Sequence, residues 1–261
     1  IARVMGAPAV DAQRLHDWSE WIQRQFDPIA LSDPDTVATI QQKVGEFYDW
    51  VDPMIEHRRT TPGEDLITTL IRTEEEGEKL SDGELRNLVL NILVGGVDTT
   101  QSQLSHAIRL LAENPDQWEA LRENPDELVP RAVREVLRFE PITAFTARQI
   151  TEEVEYRDVT FPAGTLMVIC SFTANRDPEA FEDPRDFNIL IDRDRTRPLT
   201  FGAGIHYCVG SNLARAELEE ALRFLAEKVE AFKLNGLTQL QPVSGIYGID
   251  RMDLKITPAA G

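Results

Sequence analysis

Phe201-Gly202-Ala203-Gly204-Ile205-His206-Tyr207-Cys208-Val209-Gly210 packs three glycines and one cysteine into ten residues. An amphipathic helical pattern follows, from about Asn212 to Phe232. A thiol just ahead of a helix N-terminus is placed to ionise, because the partial positive charge of the helix start favours the thiolate. Glycines accept left-handed backbone and remove Cβ atoms where a large flat ligand must come close. Cys208 is therefore the candidate ligand-bearing thiolate against which the rest of the chain is read.

Composition narrows the partners. The chain has 261 residues, 42% of them hydrophobic, enough for a substantial core in one or two domains. Lys plus Arg is 27 against 45 Asp plus Glu, a net charge of −18, which disfavours nucleic acid and anionic membrane surfaces as global partners. The two cysteines, Cys170 and Cys208, form no CxxC and no zinc-like spacing, which suits a reducing compartment and argues against a disulfide scaffold. No apolar run has membrane-spanning length and no signal-peptide pattern is visible, so a cytoplasmic protein without membrane insertion is expected. Ile1 to Met5 reads as the tail of a helix already under way, and the expectation is a piece of a longer protein.

Working outward from the loop, helical patterns dominate. Pro8 to Phe26 carries an apolar stripe through Val10, Leu15, Trp18, Trp21 and Ile22. Val37, Ile40, Val44, Phe47 or Tyr48, Val51 and Ile55 recur at three- and four-residue spacing up to Arg58-Arg59, and a short helix is expected from Glu64 to about Glu75, before an acidic turn around Gly77. Ser81 and Glu84 form a capping box that opens a helix running to about Glu113. Two further helices follow Asn114-Pro115 and Asn124-Pro125, the second from about Asp126 to Phe139. Val154 to Tyr156 and Val159 to Phe161 read as a hairpin, Leu166 to Cys170 as an apolar strand, and Phe232 to Leu234 with Met252 to Ile256 as further strands around a glycine-rich turn at Gly245 to Gly248. The architecture is mainly α with minor β.

Four constellations carry chemistry, each beside a plainer reading. Cys208 could be a buried structural cysteine, the commoner fate of a lone Cys, and Cys170 in its apolar strand fits that description. A dinucleotide loop would need glycine where Tyr207 stands, and c-type haem attachment would need CxxCH. Glu135 and Arg138, three apart on a helix, can pair, although Arg131 is an equal partner for Glu135 by spacing. Gly95-Gly96-Val97-Asp98-Thr99-Thr100 interrupts a strong helix with residues poorly suited to it, the place where a functional site is expected. Arg148 and His206 are polar residues that read as solvated surface if taken alone.

Phe201-x-x-Gly204-x-x-x-Cys208-x-Gly210 resembles the haem-binding signature of the cytochrome P450 family, and Gly202, Ile205, His206 and Tyr207 resemble its soluble bacterial branch. The resemblance extends to the whole chain and implies the C-terminal portion of a single cytochrome P450 domain across residues 1–261. It implies haem b, iron protoporphyrin IX, with Cys208 as axial thiolate and Phe201, Gly202, Gly204, Gly210, Gly95 and Gly96 close to it. It further implies Asp98 and Thr99 as the acid–alcohol pair of dioxygen activation and Arg148 with His206 as propionate partners. Glu135 and Arg138 would brace the loop with a third arginine, for which Arg185 is the nearest candidate. Val94, Ile142, Phe145 and Ile246 would line the substrate pocket.

The implied function is a haem-thiolate monooxygenase that activates dioxygen to oxidise a small apolar substrate. Electrons would come from a ferredoxin-type donor docking on the cluster Arg193, Arg195, Arg197 and Arg215, where Asp194 is the one acid among the first three. Two alternatives stand beside it: an inert or haem-poor fragment of such an enzyme, and a haem-thiolate sensor without turnover.

Overall fold

The computed structural model describes residues 1–6, 12–27, 29–75, 80–193, 195–243 and 245–259. Pro8, Val10, Gly77 and Asp194, named above, lie outside the described residues. The chain divides into two compact units, Ile1–Gln101 and Ser102–Gly261.

The first unit is helical: α1 (Ala2–Met5), α2 (Ala12–Gln23), α3 (Pro34–Thr60), α4 (Leu66–Glu75) and the first part of α5 (Asp82–Glu113), with single 3-10 turns at Arg24–Phe26 and Ala30–Ser32. Asp33 starts α3 by accepting the amides of Asp35 and Thr36, with Pro34 in the first turn where its missing N–H costs nothing. The capping box that opens α5 is formed: Ser81 N donates to Glu84 Oε2 at 2.8 Å and Glu84 N to Ser81 Oγ at 3.3 Å. The core is aromatic at its centre, where Trp18 meets Phe47 edge-on at 5.6 Å and Trp50 at 5.5 Å. Gly6 has φ 73°, and a Cβ there would fall 2.2 Å from Asp65 Oδ2, so only glycine lets α1 end against the Asp65–Arg58 ion pair.

The second unit holds the rest of α5, then α6 (Pro115–Glu123), α7 (Pro125–Phe139), α8 (Ser171–Ala174) and α9 (Ser211–Lys228), with eight short strands among the described residues. Four antiparallel pairs form: β1 (Phe145–Gln149) with β4 (Leu166–Cys170), β2 (Val154–Tyr156) with β3 (Val159–Phe161), β5 (Val229–Leu234) with β8 (Leu254–Pro258), and β6 (Gln239–Leu240) with β7 (Ile249–Arg251). Trp118, Leu121, Val129, Val133, Leu218 and Leu222 centre the core, and the Trp118 indole donates to the Glu230 carbonyl at 3.1 Å.

One expectation is corrected and one strand is added. The helix after the cysteine loop ends at Lys228 rather than Phe232, because Val229–Leu234 leaves helical geometry to pair with β8. Phe145–Gln149, which has no strong strand pattern, is a strand paired residue for residue with Leu166–Cys170.

Candidate active site

The cysteine loop is a chain of tight turns. Leu199–Phe201 and Gly204–His206 are single 3-10 turns, and Gly202 and Gly204 between them take φ 71° and 72°, conformations that a side chain would strain. The loop closes when Cys208 N donates to Phe201 O at 2.9 Å, and α9 begins three residues later at Ser211. Arg215, one turn into α9, stacks over the Phe201 ring at 4.9 Å and donates to the Tyr207 hydroxyl at 3.0 Å. Hydrogen bonds from Ser211 and Arg215 hold the Tyr207 hydroxyl below the usual tyrosine range.

Beneath the loop, charge is buried and fully paired. Glu135 and Arg138 are 3% and 1% exposed. Arg138 makes a bidentate contact to Glu135, Nε to Oε2 and Nη2 to Oε1, both 2.8 Å. Its remaining donors go to the carbonyls of Asn175, Pro184 and Asp186 at 2.7–2.9 Å. Arg131 is spent on Glu127 at 2.8 Å, so the alternative pairing for Glu135 does not form.

The third arginine is Arg193, not Arg185. Arg193 Nη1 lies 3.1 Å from Glu135 Oε2, while Arg185 is exposed. The backbone explains the exchange. Asp183 has φ 41° and the turn that follows presents its carbonyls, not the Arg185 side chain, to Arg138. Arg193 then folds back, donating to the carbonyls of Glu182, Asp183 and Asn188 as it reaches Glu135. Burial pushes the Arg193 pKa down from the ordinary arginine value, and Glu135 opposes that shift.

Asn175, which sequence reasoning missed, ties brace to loop. It is fully buried; its carbonyl accepts from Arg138, its Oδ1 accepts from Leu199 N at 2.7 Å, and its Nδ2 donates to Thr200 Oγ1 at 3.1 Å. Thr200 in turn donates to the Leu137 carbonyl of α7. The only hint in the sequence is an asparagine just after an apolar strand, a common turn residue with no distinguishing mark.

The other candidates scatter. Arg148 is half-buried on β1, opposite Met167, with Nη1 donating to the Ala147 carbonyl at 2.8 Å; His206 is exposed in the loop. Ile142 is buried and its carbonyl accepts from Tyr247 N at 3.0 Å, which sets Ile246 beside it; Phe145 is half-exposed. Tyr247 itself does not line an open pocket. It is 2% exposed, stacks edge-on with His106 at 5.1 Å, and its hydroxyl meets Glu140, which also holds Arg109 at 2.5 Å. Burial and Glu140 push the Tyr247 hydroxyl well above its usual range. Of the four arginines expected to form a docking patch, Arg193 is internal and Arg215 is engaged with Tyr207, leaving Arg195 and Arg197 exposed.

In the first unit, α5 runs unbroken through Gly95–Thr100. Thr99 Oγ1 bonds back to the Gly95 carbonyl at 2.5 Å. Val94 belongs to the core. A Cβ on Gly96 would meet Ile1 at 2.7 Å, whereas Gly95 faces open space. Asp98 turns to α2, where its Oδ1 lies 2.7 Å from His16 Nδ1 and its Oδ2 3.3 Å from Gln23 Nε2.

The donor set and its surroundings fit haem. Cys208 is a free, exposed thiol, soft enough for iron, in a loop whose glycines leave its face uncrowded. Ile205 and Val209, flanking it, are 97% and 90% exposed, an apolar surface of the kind a large flat ligand covers.

A glycine-shaped cysteine loop braced by a buried Glu–Arg–Arg set has the form expected of a haem-thiolate protein. The family pattern described as Cytochrome P450 matches residues 23–243, and the chain belongs to that family. It is 38% identical over 260 residues to luteothin monooxygenase of Streptomyces thioluteus, covering 99% of this chain and 63% of that one. It is 36% identical to nocardicin C N-oxygenase of Nocardia uniformis subsp. tsuyamanensis, over 90% of this chain and 56% of the relative. Among solved structures, that of CalO2 superposes with a TM-score of 0.89 at 31% identity, covering 98% of this chain and 64% of the other. The chain thus spans between 56% and 64% of the length of these relatives. Among the described residues no helix is long and apolar enough to cross a membrane.

Proposed function

We propose that the whole protein is a monooxygenase that inserts one atom of dioxygen into a small apolar organic substrate, working in the cytoplasm. The observation that carries this reading is Cys208, an exposed thiol in a glycine loop held rigid by the Glu135–Arg138–Arg193 brace. Haem, when bound, would supply the activation of dioxygen, with electron density donated by the cysteine sulfur.

The chain's own residues do the rest. Cys208 would hold the iron, and the Cys208 N to Phe201 O bond fixes the backbone that carries the thiol. Arg148 and His206 bind the propionates. Thr99 offers a hydroxyl that its bond to the Gly95 carbonyl orients, and Asp98 resupplies the proton that Thr99 gives up. Ile142, Phe145 and Ile246 give the substrate apolar surface, whereas Val94 is committed to the core of the first unit. Arg195 and Arg197 are the exposed charges to which an acidic ferredoxin-type donor docks. Luteothin monooxygenase and nocardicin C N-oxygenase, both named for oxygen insertion, support the reaction class.

The test is turnover of the full-length enzyme under labelled dioxygen with a ferredoxin and its reductase. One labelled oxygen atom per product is expected, with Thr99→Ala diverting dioxygen to peroxide. Label entering only from water would contradict the reading.

A further inference from the structure

We infer that His16 is the proton-entry residue for Asp98, relaying protons from solvent through its imidazole. The inference rests on the reading of Asp98 as a proton donor.

His16 and Asp98 are 82 residues apart in sequence and 2.7 Å apart in space, Nδ1 to Oδ1. Their exposures differ in the sense a relay needs: the His16 side chain is 40% exposed and that of Asp98 only 13%. The imidazole therefore stands between bulk water and one carboxylate oxygen. The other oxygen is covered by Gln23 Nε2 at 3.3 Å, a group that cannot carry a proton at ordinary pH. Histidine is the side chain whose unperturbed titration falls nearest neutrality, so it can both take up and release a proton under working conditions.

The contact is held by more than itself. Ser19 Oγ and Gln23 Nε2 donate to the Val94 carbonyl at 3.0 and 3.3 Å, so one face of α2 grips α5 at the turn that carries Asp98. The neighbouring charges are committed elsewhere. Arg14 lies over Trp18; Asp17 and Glu46 hold Lys43, and Glu20 holds Arg24. On α5, Asp98 is the acid bonded to the ring.

The step balances as simple proton transfer. Water protonates the ring nitrogen on the solvent side, the Nδ1–H bond breaks, and an O–H bond forms on Asp98 Oδ1. Rotation of the half-exposed ring then turns the remaining N–H toward Asp98 and the bare nitrogen toward solvent, which resets the relay.

The experiment uses the full-length, haem-loaded enzyme. His16→Gln keeps a hydrogen-bonding group at the contact but cannot relay a proton. We expect it to lower product formed per dioxygen consumed by roughly ten- to a hundredfold, to raise the solvent isotope effect on turnover, and to leave substrate affinity unchanged. Independently of turnover, the Tm losses of His16→Leu and Asp98→Leu should be less than additive, reporting the contact itself. Wild-type coupling in His16→Gln while Asp98→Asn is crippled would overturn the relay and leave the role of Asp98 standing. Wild-type coupling in Asp98→Asn would overturn that role, and the relay with it. Strictly additive Tm losses would contradict the contact.

Discussion

The Glu135–Arg138–Arg193 brace and the Gln103–His106–Arg109 face of α5 both bury polar side chains in the second unit, and they end in opposite states. In the brace, both Arg138 Nη atoms, its Nε and both Glu135 oxygens have partners between 2.7 and 3.1 Å. On the face of α5, Gln103 Oε1, Arg109 Nε and both ring nitrogens of His106 have no partner among the described residues. The difference teaches where this unit can bear charge. A carboxylate and two guanidiniums are tolerable in the interior because each is answered, and removing one partner strands the others. His106 tolerates burial only by staying neutral: burial first, then the nearby Arg109 charge, pushes its pKa down to about 4.

The contrast breaks most sharply at Glu135. Glu135→Ala should cost about 3–5 kcal/mol, because it leaves two buried guanidiniums without their carboxylate. Chemical denaturation of the full-length protein measures it, and a loss under about 1 kcal/mol would mean that the brace behaves like an exposed ion pair.

The second effect is a pH dependence from the other cluster. Above pH 6.5 the His106 ring is neutral folded and unfolded, and contributes nothing. As pH falls from 6.5 to about 4 the unfolded chain takes up a proton that the native ring refuses, so stability drops. The full loss is about 3 kcal/mol, reached near pH 4 and level below it. His106→Leu should flatten this part of the stability–pH curve; an unchanged slope in that variant would place the acid sensitivity elsewhere.

Asn175→Ala sharpens the comparison from the brace side. It strands the Leu199 amide and the Thr200 hydroxyl and should cost about 1–3 kcal/mol, read from the denaturation midpoint. The smallest effect belongs to Arg185. Arg185→Ala should stay within about 0.5 kcal/mol of wild type, whereas Arg193→Ala should approach the Glu135→Ala loss. A reversed order would contradict the assignment of the third arginine.

Much of this was legible in the sequence, for identifiable reasons. Apolar spacing and the Ser81–Glu84 and Asn-Pro signals are local, and the helices they announce form within a few residues of expectation. The end of α9 misled because Leu218, Leu222, Leu225, Val229 and Phe232 continue a three–four spacing across the boundary. All five pack on the same core, but the last two do so from a strand whose register only the distant β8 dictates. Arg193 was hidden because a motif is read by adjacency, and Arg185 stands beside Pro184 and Phe187 while Arg193 arrives by a backbone turn. Asn175 and His16 act through contacts to residues 24 and 82 positions away. No local pattern encodes such distances.

Ligation of haem iron by Cys208 is read out by the reduced, carbon monoxide-bound absorption spectrum of the full-length protein. The wild type should give a Soret band shifted far to the red, the signature of thiolate ligation, and Cys208→Ser should lose that band while still folding. A red-shifted band that survives in Cys208→Ser would contradict the account.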